Sequence, residues 1–451
     1  MAYPAVIELK RLASTSRKRS YTRRKYSLEK AEELVQELIG KIEGVNLYEL
    51  TKKCLSNTKA RKELTDIIYH MLIEHGIDVS GTTSVKEAAH ALYAEMYGYS
   101  VFQKYMDDPT YNEVYTNAPD DCWGIIGLER YPIPVQFRDE KHAQKVLARL
   151  TENSREGKAA HDNRLNSTVL PDRSRLRWAL PPVSDSVGFN IRKHTVEDMK
   201  SIMLDKYLDD GVMTKSVFSL LVGMAITGTC YMILGPGAIG KTALLRVILK
   251  EVHETISPRF LISENGAELN LKEYLLLLGC EKVDVHSLQK WSGDREGLAA
   301  IFANFMQAKG EFIIQPEVLM PEEVDNILMA NRRGHVMGPS TFHSYPKKLL
   351  DALTDLYLQR YPSDRESVKR TLSDDILASC HYDVEYTSDG KKRRIIGVYE
   401  HVNGKAKPIY LWNPTSKSYE IFLIENEELK QKLANLEYVA PSIYQGVKHL
   451  L

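Results

Sequence analysis

The stretch Tyr231-Met-Ile-Leu-Gly-Pro-Gly-Ala-Ile-Gly-Lys-Thr-Ala-Leu-Leu245 joins an apolar, strand-forming run to a helix-forming run through the pattern GxxxxGKT. This pattern is typical of a loop that cradles phosphate, because its backbone N–H groups point inward and the positive end of the following helix adds attraction. The strand context before it and the helix context after it make the signal strong. The stretch therefore predicts an α/β domain that binds a nucleotide.

The individual positions of this loop have expected roles. Lys241 is expected to reach the β- and γ-phosphates of ATP, and the hydroxyl of Thr242 is expected to ligate Mg²⁺. ATP and Mg²⁺ are thus the predicted cofactors. The residues of the loop predicted to contact the nucleotide are Gly235, Pro236, Gly237, Ala238, Ile239, Gly240, Lys241, Thr242 and Ala243.

Length and composition indicate a multidomain protein without a membrane span. The chain has 451 residues, which is more than one ordinary core holds. Hydrophobic residues make up 43% and charged residues 27%, and the sequence contains no run of about 18 apolar residues. No apolar signal region stands near the start, so we expect a cytoplasmic chain. The five cysteines are far apart and lack ligand spacing, so we expect neither a disulfide framework nor a zinc site.

Changes in composition and hydrophobic pattern along the chain predict five segments. Residues 1–26 form a basic arm, expected to be disordered, although such an arm also suits an anionic membrane surface or nucleic acid. Residues 27–98 show helical spacing and predict a helical extension. Residues 99–205 contain short β-rich runs, notably at 112–117, 122–126, 175–180 and 188–192, and predict an α+β domain. Residues 206–415 alternate strands and helices around the loop, and residues 416–451 predict a helical tail.

Two acidic segments downstream of the loop are candidates for the reaction. A P-loop enzyme needs acids at the ends of strands beside the loop, where they hold Mg²⁺ directly or through water and position the attacking water. Residues 259–268 form an apolar strand ending in Glu264, with Glu268 four residues on. Residues 310–317 form another apolar strand with Glu317 at its carboxyl end. A single glutamate is usually a solvated surface residue. It is the order of the two acidic segments after the loop that favours a role in the nucleotide site.

Two histidines follow the acidic segments. His335 ends the run Arg-Arg-Gly-His, and His343 lies within Pro-Ser-Thr-Phe-His-Ser at 339–344. Histidines on small-residue loops near a phosphate site can sense the γ-phosphate, whereas a lone histidine is usually a satisfied polar residue. Their positions alone leave both interpretations open.

The ordered set GPGAIGKTALL, ISENGAEL, FIIQPEV, RRGH and STFHS resembles the secretion-system traffic ATPases, the hexameric motors of type II and type IV secretion and of type IV and tight-adherence pili. The resemblance implies a RecA-like P-loop motor domain preceded by an α+β N-terminal domain and a helical N-terminal extension. It implies that Glu264 and Glu268 are the Asp-box acids, with Glu264 near Mg²⁺. It also implies that Glu317 is the Walker B glutamate that polarises water and that His335 and His343 are the His-box residues.

The resemblance continues upstream of the loop and covers roughly residues 86–401. The segments MDDPTYNEVYTN at 106–117, LPDRSR at 170–175 and FNIRK at 189–193 are similar to elements of the family's N-terminal domain. They imply that Arg175 and Arg192 reach nucleotide phosphates across the gap between two domains. Surface arginines in β-hairpins are the alternative. The pilus-type subgroup with a helical extension fits best.

The sequence departs from the family at Walker B. Leu319 stands in place of the usual arginine, and glycines do not flank Glu317. A different register would put Glu323 at the Walker B position, but it needs a deletion before Gly334, so Glu317 is preferred. Nucleotide binding is therefore a firmer expectation than rapid turnover.

The resemblance implies a cytoplasmic homohexamer, peripheral to the inner face of the cell membrane. In the family, cycles of ATP binding and release push on an inner-membrane platform to build a pilus or to move protein or DNA. One alternative is a nucleotide-binding scaffold that barely hydrolyses ATP, motivated by the altered surroundings of Glu317. Another is a DNA translocase of a conjugation system, motivated by the basic residues at 17–25 and 391–394.

Overall fold

The computed structural model describes residues 23–41, 47–152, 154, 164–193, 199–265, 269–290, 298–308, 312–332 and 337–451. The chain divides into two compact units, Met1–Asp198 and Met199–Leu451. Two predicted site residues, Glu268 and His335, lie outside the described residues, as does most of the basic arm. In the part of the chain that is described, no helix is long and apolar enough to cross a membrane.

The first unit begins with helices and continues mainly with strands. Its helices are α1 (Leu28–Ile39), α2 (Leu47–Lys53), α3 (Thr58–Glu74), α4 (Val85–Met96), α5 (Gln103–Asp107) and α6 (Glu140–Glu152), with a 3-10 turn at Ser100–Phe102. Its strands are β1 (Arg24–Tyr26), β2 (Ile77–Val79), β3 (Glu113–Ala118), β4 (Asp121–Ile126), β5 (Glu129–Pro132), β6 (Leu165–Val169), β7 (Arg175–Ala179) and β8 (Gly188–Arg192).

The helices of the first unit form because apolar residues recur once per turn. On α1, Ala31, Val35 and Ile39 are buried four residues apart, and the Ser27 hydroxyl caps the helix by accepting the N–H of Lys30 at 3.2 Å. The short strands β1 and β2 pair in parallel beside these helices. The predicted disordered arm extended to residue 26, so it included β1. A three-residue strand stabilised by a partner about 50 residues away leaves no local pattern to read.

An antiparallel sheet with the order β5-β4-β3-β8-β7-β6 forms the rest of the first unit. One face of the sheet is apolar and buries residues such as Val114, Leu176 and Ile191 in one cluster with Val146 and Leu150 of α6. The alternate residues of the same strands are half-buried or exposed. The four runs that predicted strands in this part of the sequence coincide with β3, β4, β7 and β8.

The second unit alternates strands and helices. Its strands are β9 (Tyr231–Leu234), β10 (Phe260–Asn265), β11 (Val285–Lys290), β12 (Phe312–Ile314), β13 (Ser340–Phe342), β14 (Ala378–Thr387), β15 (Gly390–Val402), β16 (Lys405–Asn413) and β17 (Ser418–Ile421). Its helices are α7 (Leu204–Asp209), α8 (Lys215–Ile226), α9 (Lys241–Ile256), α10 (Leu271–Leu277), α11 (Leu298–Phe305), α12 (Pro321–Arg332), α13 (Leu349–Leu358), α14 (Arg365–Asp375), α15 (Glu427–Ala434), α16 (Leu436–Val439) and α17 (Pro441–Val447), with 3-10 turns at Pro346–Lys348 and Lys448–Leu450.

Two sheets of the second unit are joined by isolated bridges. The strands β11-β10-β12 form a parallel sheet, and β13-β9-β14-β15-β16-β17 form a mixed one. Parallel bridges between Ile313 and Met337 and between Glu317 and Thr341 link β12 to the chain around β13. Parallel strands with helical connections are the α/β pattern that the loop predicted, so the fold class is confirmed: an α/β loop-bearing unit preceded by helices and an α+β sheet.

The end of the chain packs on helix α8, whose residues are buried on nearly all sides. Gly446 of α17 lies so close to α8 that a Cβ added there would be 2.5 Å from the Ser219 hydroxyl oxygen. A Cβ added to Gly223 of α8 would likewise be 2.8 Å from Leu436. The C-terminal helices are therefore an integral layer of the second unit.

Part of the basic segment at 391–394, on β15, makes contacts inside the second unit. Arg394 pairs with Glu385 of β14 through Nε and one terminal nitrogen, each at 2.8 Å. Its guanidinium carbon lies 3.8 Å from the ring centroid of Trp412. Trp412 in turn donates its indole N–H to Glu385 at 2.7 Å. This arrangement removes Arg394 from the basic segment that motivated the DNA translocase alternative.

Candidate functional site

The phosphate-loop sequence forms a turn between β9 and α9 that requires glycine at its ends. Gly235 has φ of 147°, and a Cβ there would lie 1.9 Å from the carbonyl oxygen of Tyr382. Gly240 has φ of 109° and is the N-cap of the 16-residue helix α9. Ala238 also adopts a positive φ, of 60°. The loop is thus a tight backbone cradle at the positive end of a long helix, which suits a phosphate group.

The ammonium group of Lys241 is held within this loop. The side chain is buried, and Nζ donates to the carbonyl oxygens of Gly235 and Pro236, both at 2.9 Å. Thr242, the next residue of α9, is half-buried, while Pro236, Gly237 and Ala238 are exposed. The loop therefore combines exposed backbone, the ammonium group of Lys241 and the hydroxyl of Thr242. Backbone N–H groups and an ammonium suit a nucleotide phosphate, and a hydroxyl suits its Mg²⁺.

Strand register brings Glu317 and His343 together beside the loop. The bridge between Glu317 and Thr341 is supported by two hydrogen bonds of 2.9 Å, from Val318 N–H to the Thr341 carbonyl and from Thr341 N–H to the Pro316 carbonyl. His343 follows Thr341 by two residues, and its Nε2 lies 3.1 Å from Oε1 of Glu317. On the other side, β13 pairs with β9 so that Phe342 faces Leu234, immediately before Gly235.

His343 also approaches the tip of the loop. A Cβ added to Gly237 would lie 3.5 Å from Cε1 of His343. The side chains of His343 and Glu317 keep 43% and 26% of their surfaces exposed, so both remain open to solvent or ligand. The loop, a carboxylate and an imidazole thus converge at the carboxyl ends of parallel strands, which is where ligands bind in open α/β sheets.

Glu264 occupies a different environment, at the carboxyl end of β10. Its carboxylate is buried and accepts the backbone N–H of Leu269 at 2.9 Å and the hydroxyl of Ser287 at 3.1 Å. Arg246 of α9 donates Nε–H to the carbonyl of Leu269 at 2.7 Å, which ties this region to the helix that follows the loop. A cavity of about 700 Å³ adjoins Glu264 and is lined further by α10 and β11, including His286.

Glu323, the alternative Walker B acid, caps a helix. It lies in the first turn of α12, is buried, and accepts the backbone N–H groups of Leu319 at 2.5 Å and Met320 at 2.8 Å. A carboxylate with these two partners stabilises the N-terminus of α12. In contrast, Glu317 stands at the strand end beside the loop.

The two candidate arginines are neighbours in the first unit. Arg175 of β7 is directly opposite Arg192 of β8 in the antiparallel register, so both side chains are on the same face of the sheet. Both are half-buried. Their role in nucleotide binding stays a prediction, as do the roles of Glu264, Glu268 and His335.

Two features of the site had not been expected from the sequence. The first is Tyr382, which follows His381, the residue paired with Leu234 between β14 and β9. The carbonyl of Tyr382 faces Gly235, and the Tyr382 hydroxyl would lie 3.5 Å from a Cβ added to Gly240. Gln315, near the end of β12, donates to the carbonyl of Glu323 at 2.9 Å and accepts from Asn326 at 3.2 Å. The sequence signal for this second feature was a polar residue directly after an apolar run, two positions before Glu317. A polar residue that becomes buried in such a place needs hydrogen-bond partners.

The sequence matches no protein-family profile and no curated protein. Solved structures similar to the chain include the VirB11 ATPase of the Brucella suis type IV secretion system, with 19% identity, 67% of this chain and 93% of that chain covered, and a TM-score of 0.34. They also include the Legionella pneumophila ATPase DotB (14% identity, 77% and 85% covered, TM-score 0.44). A third is the pilus retraction motor PilT with bound ADP (14% identity, 77% and 92% covered, TM-score 0.43). Identities and TM-scores this low leave function to be argued from the residues of the chain itself.

Proposed function

We propose that this chain is a Mg²⁺-dependent ATPase. The observation that carries the proposal is the convergence of the loop around Lys241 with Glu317 and His343, whose side chains are 3.1 Å apart beside Gly237. A phosphate-binding loop alone would account for nucleotide binding but not for hydrolysis. A carboxylate at the adjacent strand end adds a group that orients water for attack on the γ-phosphate.

The chain's residues divide the work of the reaction as follows. Thr242 and Glu264 would hold Mg²⁺, directly or through water, and the ion would supply positive charge that neutralises the phosphate oxygens. Lys241 exchanges its backbone carbonyl partners for β- and γ-phosphate oxygens. Glu317 orients water for in-line attack, and His343 fixes the orientation of the Glu317 carboxylate.

The remaining residues and the biological role are proposed from the motif resemblance. Glu268 joins Glu264 in the Asp box, His335 joins His343, and Arg175 with Arg192 contacts the nucleotide phosphates. The proposed assembly is a homohexamer at the cytoplasmic side of the inner membrane, where it acts on platform proteins of a secretion or pilus machine. ATP turnover would drive pilus assembly or the transfer of protein or DNA.

Steady-state ATP hydrolysis with Mg²⁺, measured together with particle mass by light scattering, tests this proposal. The unmodified chain is compared with Lys241→Ala and Glu317→Gln in the same samples. Turnover that is lost in both variants, from a hexamer-sized particle, supports the motor. Turnover equal to that of the unmodified chain in Glu317→Gln contradicts the Walker B role of Glu317.

The second candidate is a nucleotide-binding scaffold with little hydrolysis. It is favoured by Leu319, which stands where the resemblance expects an arginine and leaves 44% of its surface exposed. Nucleotide-dependent assembly without phosphate release above the Lys241→Ala background supports the scaffold. Phosphate release clearly above that background removes it.

A further inference from the structure

Both oxygens of the Glu264 carboxylate accept hydrogen bonds. Oε2 accepts the backbone N–H of Leu269 at 2.9 Å, and Oε1 accepts the hydroxyl of Ser287 at 3.1 Å. Ser287 on β11 is directly opposite Ile262 of β10, two residues before Glu264, so its side chain projects to the same side of the sheet as the carboxylate. The terminal torsion of a glutamate has no sharply preferred angle. The plane of this carboxylate is therefore set by its two donors.

Leu269, the first of these donors, is itself fixed by Arg246. Nε of Arg246 donates to the carbonyl oxygen of Leu269 at 2.7 Å, and both residues are buried, with 3% and 0% of their surfaces exposed. A guanidinium is costly to bury unless its N–H groups have acceptors, and a backbone carbonyl is such an acceptor. Both backbone polar groups of Leu269 are thus bonded, one to Arg246 and the other to Glu264.

Arg246 also belongs to the helix that follows the phosphate loop. Helix α9 begins at Lys241, and Arg246 comes four residues after Thr242, which places the two side chains on the same side of the helix, about one turn apart. Thr242 is the residue whose hydroxyl the proposed function assigns to Mg²⁺. One helix therefore carries both that hydroxyl and the guanidinium that restrains the residue donating to Glu264.

We propose that Arg246 and Ser287 are positioning residues for Mg²⁺. Arg246 acts through the backbone of Leu269 and Ser287 acts directly. Together they hold the Glu264 carboxylate in the orientation that receives the metal, directly or through water. This inference rests on the proposed function, which assigns Mg²⁺ to Glu264. Groups that orient a metal-holding side chain usually change metal affinity by about 10- to 100-fold when they are replaced.

Two substitutions of Arg246 separate its hydrogen bond from its charge and bulk. Arg246→Gln removes the charge but keeps an N–H donor at the same distance along the side chain as Nε, whereas Arg246→Met has a similar length and no donor. Isothermal titration calorimetry measures Mg²⁺ binding to the full chain complexed with ADP, with the chain in excess so that little free ADP competes for the metal. Arg246→Met is expected to weaken Mg²⁺ binding about 10- to 100-fold, and Arg246→Gln should bind Mg²⁺ like the unmodified chain.

The affinity for ADP in EDTA distinguishes positioning of the metal from a general defect of the site. The phosphate loop and Lys241 are proposed to hold the phosphates, and neither is changed in these variants. All variants should therefore bind ADP equally when EDTA removes Mg²⁺.

Ser287 provides a second, independent test. Ser287→Ala removes the hydroxyl that holds Oε1, whereas Ser287→Thr keeps a hydroxyl and has a β-branched side chain that suits a strand. The alanine variant is expected to weaken Mg²⁺ binding about tenfold or more, and the threonine variant should bind it normally. Ser287 is exposed on β11, so these two substitutions decide the test if circular dichroism shows that Arg246→Met fails to fold.

The results that would overturn this inference are distinct from those that would overturn the proposed function. Mg²⁺ binding that is the same in Arg246→Met, Ser287→Ala and the unmodified chain overturns the inference alone. Equal losses in Arg246→Gln and Arg246→Met, or a loss of ADP affinity in EDTA, would show that Arg246 acts by charge or packing and would remove its positioning role. An unmodified chain that binds no ADP, or binds ADP but no Mg²⁺, overturns the proposed function and the inference together.

Discussion

The imidazole Nε2 of His343 lies 3.1 Å from the carboxylate of Glu317, although the two residues follow different strands, β13 and β12. The contact follows from backbone pairing, because Glu317 bridges to Thr341, two residues before His343. Residues two apart on a strand project to the same side. The orientation of the Glu317 carboxylate therefore depends on His343.

Replacement of His343 by Ala is expected to reduce kcat for ATP hydrolysis by about 10- to 100-fold, because a small misplacement of a group that orients water is that costly. The affinity for ATP should change little, since the loop and Lys241 are untouched. Turnover kinetics together with a nucleotide-binding titration measure the two effects. His75→Ala, at the C-terminal end of α3 in the first unit, is the control, and equal losses in both variants would contradict a specific role for His343.

Gly235→Ala is expected to abolish nucleotide binding and to lower the free energy of unfolding. The added Cβ would lie 1.9 Å from the Tyr382 carbonyl oxygen, which is backbone and cannot move aside cheaply. Gly279→Ala is a matched control, because Gly279 also has a positive φ, of 78°, but open space around it. That control should lose only about 1–2 kcal/mol of stability and bind nucleotide normally. Thermal unfolding and nucleotide titration of both variants provide the measurement; normal binding by Gly235→Ala would contradict the tight loop.

Stability is expected to fall between pH 7 and pH 5 through His401. Burial lowers the pKa of His401 to about 4, and Nε2 lies 2.9 Å from the Ser379 hydroxyl oxygen. The unfolded chain, with a pKa near 6.5, binds the proton first, so acid favours unfolding between these two values. The contribution of neutral His401 is present above about pH 6.5 and is lost progressively toward pH 4, with a slope of at most about 1.4 kcal/mol per pH unit.

Urea unfolding of the unmodified chain and of His401→Gln at pH 7 and pH 5 measures this dependence. Glutamine does not titrate, so the variant should lose less stability than the unmodified chain when the pH is lowered. His70→Gln, on helix α3 of the first unit, serves as the control. An unchanged pH dependence in His401→Gln would show that other groups dominate.

Arg394→Ala is expected to lower the free energy of unfolding by about 2 kcal/mol, because it leaves the half-buried carboxylate of Glu385 without its charged hydrogen-bond donor. The pair is 13% and 10% exposed on its two side chains, and Arg394 also stacks on Trp412. Lys392→Ala, on the same basic segment but exposed, should change stability by less than about 0.5 kcal/mol. Denaturant unfolding of both variants is the measurement, and equal stabilities of the two variants would argue against a stabilising Arg394–Glu385 pair.

Local sequence patterns were sufficient to predict the elements that begin or end at a glycine-rich turn or at the end of an apolar run. The pattern GxxxxGKT predicted the turn from β9 to α9, and the apolar run before Glu317 predicted β12 with the acid just beyond its end. The helical spacing of the early sequence predicted α1 to α4. In contrast, β1 and the helix-capping role of Glu323 were not predicted, since both depend on partners outside the local pattern.

The sequence by itself determined which residues are chemically able to form the site: a phosphate loop with Lys241, and acids and histidines at the ends of apolar runs. Only the tertiary structure decided that β13 lies between β9 and β12, so that His343 meets both Glu317 and the loop. It also brought donors from Leu269 and Ser287 to the two oxygens of Glu264. The physical reason is that sheet order and register are set by the burial of whole strand faces across the core, whereas turns and caps are set by neighbours a few residues away.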